Sequence, residues 1–87
     1  MYQLVFSKKA DKDLKRLDKF TQRLIINWLE KNIDKTDNPR AKGKGLTGDK
    51  SGQWRYRIGD YRVICEIIDK KVIVYALSVG HRSEIYN

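Results

Sequence analysis

Eighty-seven residues with 19 Lys and Arg against 11 Asp and Glu, a net charge of +8, describe one small basic domain, residues 1–87, with one modest core. No run approaches the roughly 18 apolar residues of a membrane span, and the charged segment after Met1-Tyr2-Gln3 has no signal-peptide core, so a soluble, cytoplasmic protein with no membrane partner is expected. The lone Cys65 excludes an internal disulfide, one histidine without a carboxylate cluster excludes a metal site of three or four ligands, and the positive excess asks for a polyanionic partner: RNA, DNA or an acidic protein.

In chain order, Tyr2-Gln3-Leu4-Val5-Phe6 alternates and is rich in strand formers, so it is expected as a first strand. Ser7 is a good N-cap for a helix whose Ala10, Leu14 and Leu17 recur at i, i+4, i+7. Asp18-Lys19-Phe20-Thr21 reads as a corner, with Thr21 as a cap for a second helix. There Leu24, Ile25, Trp28, Leu29 and Ile33 form a wide apolar face. So tight a connection implies an antiparallel helical hairpin, which must bury its stripe on a sheet. Pro39 disfavours helix at Asn38 and closes this part of the chain. Arg40 to Gly52 reads as a loop, with Lys42-Gly43-Lys44-Gly45 either a mobile basic flap or a plain connector. It lacks the Gly-Lys-Ser/Thr ending of a phosphate-cradling Walker loop.

The stretch Trp54-Arg55-Tyr56-Arg57-Ile58-Gly59-Asp60-Tyr61-Arg62-Val63-Ile64-Cys65 reads as a β-hairpin around a Gly59-Asp60 turn of the II′ type. In that register Ile58 faces Tyr61, Arg57 faces Arg62, Tyr56 faces Val63 and Arg55 faces Ile64. One face carries Trp54, Tyr56, Ile58, Tyr61, Val63 and Cys65, fit for a core. The other carries Arg55, Arg57 and Arg62, and opposed like charges on a ladder are destabilising. Two readings account for them: an anion site, since arginine offers a rigid bidentate fork for phosphate, or a solvated face with Glu66 as partial counter-ion. An Asp69-Lys70-Lys71 turn leads to Val72–Val79, apolar on both faces and so a central or doubly covered strand. Gly80-His81-Arg82-Ser83-Glu84-Ile85-Tyr86-Asn87 then sets polar and titratable groups at the strand's end. The fold class is α+β, in the order βααβββ: a helical hairpin packed on a small, mostly antiparallel sheet.

Metal-free chemistry on a phosphodiester suits these residues. RNA brings its own nucleophile, the 2′-hydroxyl, and an enzyme needs to align it, stabilise extra negative charge and move protons. Arg55, Arg57, Arg62 and Arg82 suit the charge, while His81 and Tyr86 are available for proton transfer or stacking. No cofactor is required. Lys42 and Lys44, with Arg55, are the expected RNA contacts.

Lys44-Gly45-Leu46-Thr47-Gly48, the hairpin through Glu66, and Ser78-Val79-Gly80-His81-Arg82-Ser83-Glu84-Ile85-Tyr86 together resemble the RelE/ParE superfamily of bacterial toxins, in its RelE branch, over nearly the whole chain. The resemblance implies an endoribonuclease that enters the ribosomal A site and cleaves mRNA through 2′-hydroxyl attack, without metal. Its partners would be the ribosome, mRNA and a cognate antitoxin, RelB-like or another short protein. By the same resemblance, Arg62 stabilises the phosphate, Arg82 protonates the leaving 5′-oxygen and Tyr86 stacks on or orients the target nucleotide. Arg57 stands where relatives often carry a lysine proposed as general base. Arginine stays protonated, so either His81 takes that role or the 2′-proton leaves to solvent or phosphate while Arg57 stabilises charge. Two other functions share the fold: a ParE-like toxin that poisons DNA gyrase, and a non-catalytic module that only binds an antitoxin.

Overall fold

A computed structural model describes residues 1–83. The chain runs β1 (Gln3–Phe6), α1 (Lys8–Lys15), α2 (Lys19–Asn32), β2 (Lys44–Gly45), β3 (Gln53–Ile58), β4 (Tyr61–Ile68) and β5 (Ile73–His81). The strands form one sheet in the order β1-β5-β4-β3-β2. β1 and β5 pair in parallel, and the other pairs among the described residues are antiparallel. The expected α+β order stands, with one addition: β2 is a two-residue edge strand inside the segment expected as a loop.

Local chemistry sets the helix starts. Ser7 turns β1 straight into α1, its Oγ accepting the Ala10 N–H at 3.0 Å and donating to the Leu77 carbonyl at 3.0 Å. The cap of α2 is Asp18, not Thr21. The Asp18 carboxylate accepts the Thr21 N–H at 3.1 Å and the Thr21 hydroxyl at 2.6 Å. These bonds, the hydroxyl's first, hold the Asp18 carboxyl below its ordinary range. The helix ends at Asn32, earlier than Pro39 alone implied. Lys35 takes a left-handed φ of 66°, and its N–H donates to the Tyr2 carbonyl at 2.7 Å.

Both helices cover one sheet face. Ile25, Leu29 and Ile33 pack with Tyr56, Val63, Cys65 and Val74, all fully buried, while Ala10 and Leu14 of α1 join the same cluster. The apolar face of α2 is narrower than its spacing suggested. Leu24 is 46% exposed and Phe20 76%.

β5 starts at Ile73 rather than Val72. Val72 has φ 57°, closing the 3-10 turn Asp69–Lys71 in a left-handed conformation that a β-branched residue adopts at a cost. β5 is central, between β1 and β4, yet the helices cover only its inner face. A bulge at Ile64/Cys65 leaves Leu77 without a partner, because Ile64 pairs Ser78 and Cys65 pairs Ala76. Among the described residues no helix is long and apolar enough to cross a membrane.

Candidate functional site

The β3–β4 hairpin has the register its alternation predicted. Ile58 opposes Tyr61, Arg57 opposes Arg62, Tyr56 opposes Val63 and Arg55 opposes Ile64. Gly59 has φ 59°, whereas Asp60 is not at positive φ, as a II′ turn requires. Across the outer face two rows form. One runs Lys44, Arg55, Ile64, Ser78; the next runs Arg57, Arg62, Gly80. Directly opposed side chains have Cβ atoms about 5 Å apart, so Arg57 and Arg62 stand side by side, and Gly80 puts no side chain on Arg62's other flank.

Arg62 is the centre of this group. Its Nε is buried and has no hydrogen-bond partner. Loss of water contact, then the charges of Arg55, Arg57 and Arg82, lower its proton affinity below that of an ordinary guanidinium. Arg82 joins from the end of β5, its N–H donating to the Asp60 carbonyl at 2.8 Å. Among the described residues the ion pairs lie elsewhere: Lys9–Asp13, Lys15–Asp11, Arg40–Asp69 and the N-terminus with Asp37. Glu66, the counter-ion of the solvated-face reading, is exposed and pairs with none of the four arginines. Four guanidinium groups with no carboxylate partner among the described residues are chemically suited to receive an anion. Among the described residues no three His, Cys, Asp or Glu side chains converge; the donors in the cluster are arginine N–H groups, whose fork matches phosphate oxygens.

The basic segment before β3 is a built part of the site rather than a free flap. Lys44 lies opposite Arg55 and Gly45 opposite Trp54, while Trp54 Nε1 donates to the Lys42 carbonyl at 2.7 Å. Gly43 makes this approach possible. With φ 83°, a Cβ there would fall 2.7 Å from Trp54 Nε1 and closer still to the Arg55 carbonyl. A cleft of about 230 Å³ follows at the sheet edge, lined by Trp28, Gly43, Lys44, Arg55 and Arg57. Trp28 reaches it while packing on Tyr56 with ring centroids 5.8 Å apart. Lys42 is exposed; its backbone, through the Trp54 bond, is what fixes the segment.

His81 is placed differently from the arginines. It opposes Tyr61, their rings meet edge-on at 5.4 Å and 86°, and both belong to the rows that face the helices. The Ser83 N–H donates to His81 Nδ1 at 3.2 Å, and Ser83 Oγ lies 2.9 Å from the same nitrogen. With Nδ1 accepting, a neutral imidazole carries its proton on Nε2. Tyr86 lies outside the described residues. Cys65 is fully buried and burial pushes its thiol up to about 12, which removes it as a nucleophile. Tyr56 is likewise held protonated by burial, its hydroxyl donating to the Pro39 carbonyl.

Sequence reasoning missed the placement of Lys44 in the arginine row and the Ser83 bond to His81. A hint of the first was available: two glycines around a lysine, ten residues before Trp54, permit the backbone to lie flat on an indole.

The fold has counterparts among known proteins. A family model described as the ParE toxin of the parDE type II toxin–antitoxin system matches residues 4–86. A putative RelE-like toxin protein of Escherichia coli is 31% identical, covering 99% of this chain and 90% of that protein. The mRNA interferase toxin RelE of Escherichia coli K12 is 29% identical with the same coverage, 99% and 90%. Among solved structures, the toxin–antitoxin complex RelBE2 of Mycobacterium tuberculosis superposes with a TM-score of 0.85 at 27% identity, covering 94% of this chain and 92% of that one.

Proposed function

The chain belongs to the RelE/ParE family of type II toxin–antitoxin toxins, and from that premise we propose that it is a metal-free endoribonuclease that cleaves mRNA in the ribosomal A site. The observation that carries this reading is the arginine cluster: Arg62, its Nε buried and unpartnered, with three further guanidinium groups near it and no ion pair to a carboxylate among the described residues. In this reaction the 2′-oxygen attacks phosphorus and the P–O5′ bond breaks, leaving a 2′,3′-cyclic phosphate and a 5′-hydroxyl. Arg62, supported by Arg55 and Arg57, meets the charge that grows on the non-bridging oxygens, and Arg82 gives the proton to the leaving 5′-oxygen. Fixed donors of this kind are each worth on the order of 100- to 1000-fold in rate. Tyr86 orients or stacks on the target nucleotide. Because Nδ1 of His81 is held by Ser83 and its ring lies in the helix-facing rows, the 2′-proton leaves to solvent or to a phosphate oxygen, and Arg57 stabilises charge.

Lys42, Lys44 and Arg55 contact the nucleic-acid backbone. Lys44→Ala should reduce the fall of log K with log salt by about 0.7–0.9, one phosphate's share. The partner protein is an antitoxin that covers exposed apolar surface such as Phe20 and Leu24 and sets acidic groups against the arginines. The decisive experiment induces the protein and maps 5′-hydroxyl ends on translated mRNA. Cuts inside reading frames that vanish when translation is blocked carry the proposal. Intact mRNA with broken chromosomal DNA would instead assign the gyrase-poisoning function named in the ParE branch.

A further inference from the structure

β1 covers only the lower half of β5. Its four residues pair Ile73 to Ala76, and from Leu77 to His81 no strand among the described residues lies on that side. Groups from the β1–α1 junction and from α1 take the place of a strand there. The Ser7 N–H donates to the Ala76 carbonyl at 2.9 Å, Ser7 Oγ donates to the Leu77 carbonyl at 3.0 Å, and Asp13 Oδ2 accepts the Val79 N–H at 2.9 Å. Asp13 is only 11% exposed and is held in turn by Lys9 Nζ, 3.0 Å from Oδ2 and 3.3 Å from Oδ1. Val79 is followed by Gly80, which opposes Arg62, then by His81 and Arg82. A carboxylate on a helix thus holds that side of β5 one residue before Gly80, where the chain enters the arginine cluster.

We infer that Asp13 is a positioning residue for RNA cleavage: it clamps the open edge of β5 and so sets where Gly80 and Arg82 stand relative to Arg62. The inference rests on the proposed cleavage function. A second feature separates this role from simple structural support. A cleft of about 200 Å³, lined by Asp13, Arg16, Leu17, Val79 and Gly80, lies against the bond, so water can reach the Val79 N–H once the carboxylate is gone. The amide is then hydrated rather than left unsatisfied, and the fold survives. What is lost is the fixed partner on the open side of the strand end, which β4 and the Asp60 carbonyl hold only from the other side, and misplacement by an ångström far from the reacting atoms costs on the order of 100-fold.

The test compares Asp13→Ala with Asp13→Asn, whose side-chain carbonyl still accepts from Val79. Two readouts are taken: single-turnover cleavage on saturating programmed ribosomes, and amide hydrogen exchange. In the Ala variant, cleavage should slow by about 10- to 100-fold with ribosome affinity unchanged. Val79 should exchange faster while Val63 and Val74 keep their protection. The Asn variant should recover most of the rate. A wild-type rate in the Ala variant, an Asn variant as slow as Ala, or unchanged exchange at Val79 would each overturn the positioning role. If the native protein itself leaves mRNA intact, the functional reading fails, and Val79 exchange together with the Arg82 amide resonance still decides whether Asp13 holds the strand end.

Discussion

Two arginines at opposite ends of the sheet show what a charged group does with and without a partner. Arg40 reaches Asp69 with two bonds of 3.0 Å, and Tyr2 donates to the same carboxylate at 2.7 Å. The Arg40 bonds, then that of Tyr2, hold the Asp69 carboxyl below its usual range, and Arg40 is held more firmly protonated. Arg62 has the reverse surroundings: a buried Nε, three arginines nearby and a proton affinity lowered by both. One arrangement ties the β4–β5 turn to the loop after α2. The other leaves the folded protein repelling itself at one spot. Stability alone favours arrangements of the first kind, and a cluster of the second kind is what the proposed anion site requires.

The largest break in that contrast comes from Arg62→Ala or Arg82→Ala. Single-turnover cleavage should fall by on the order of 100-fold or more with ribosome binding nearly intact; a drop in affinity with an unchanged rate constant would make these groups mere docking charges. His81→Gln comes next. With Nδ1 held by Ser83, the rate should drop by less than about tenfold and the pH–rate profile should keep its shape. A loss of 100-fold or more with disappearance of a titration near neutrality would give His81 the proton-transfer role instead.

Smaller effects sharpen the comparison through stability. Arg62→Met keeps the length of the side chain and removes the repelling charge, so its melting temperature at low salt should rise by a few degrees at most, and added sulfate should close the gap by raising the native protein. A lower melting temperature would mean that the cluster is held by contacts rather than tolerated. Asp69→Asn should be weaker still, as exposed pairs are. The sign follows from the depressed carboxyl. Its contribution is present above the unfolded carboxylate value of about 3.9 and fades as pH falls through the lower folded value. Native and Asn proteins should therefore differ slightly at pH 6 and melt alike once the carboxylate is protonated in acid. A difference that grew on acidification would contradict the pairing.

The parts of the site that alternate were legible in the sequence. The hairpin's register and its division into an apolar and an arginine face follow from a period of two and a Gly-X turn. Features made by distant backbone were not. A two-residue strand such as β2 has no period to detect, and the bond from Asp13 to Val79 spans 66 positions. Asp18, one residue before the first helical position, outcompetes Thr21 for the cap because its carboxylate accepts from both the Thr21 amide and hydroxyl. Leu24 fits the helical spacing yet stays exposed, while Ile25, Leu29 and Ile33 turn to the sheet; spacing alone does not say which edge of an apolar face the sheet covers. His81 could be assigned a face only after the pairing of β5 with Tyr61 was known.

The buried thiol of Cys65 gives the molecule a built-in clock. It sits at the middle of β4, opposite Trp54 and Ala76, with no surface exposed. A thiol reagent in water meets it only while the sheet is open, so the labelling rate counts openings of the whole core and ignores fraying at the strand ends. Any anion or protein that settles on the arginine face should slow that clock in proportion to how tightly it prefers the closed sheet. Occupancy of the outer face then becomes readable from a single sulfur on the inner one.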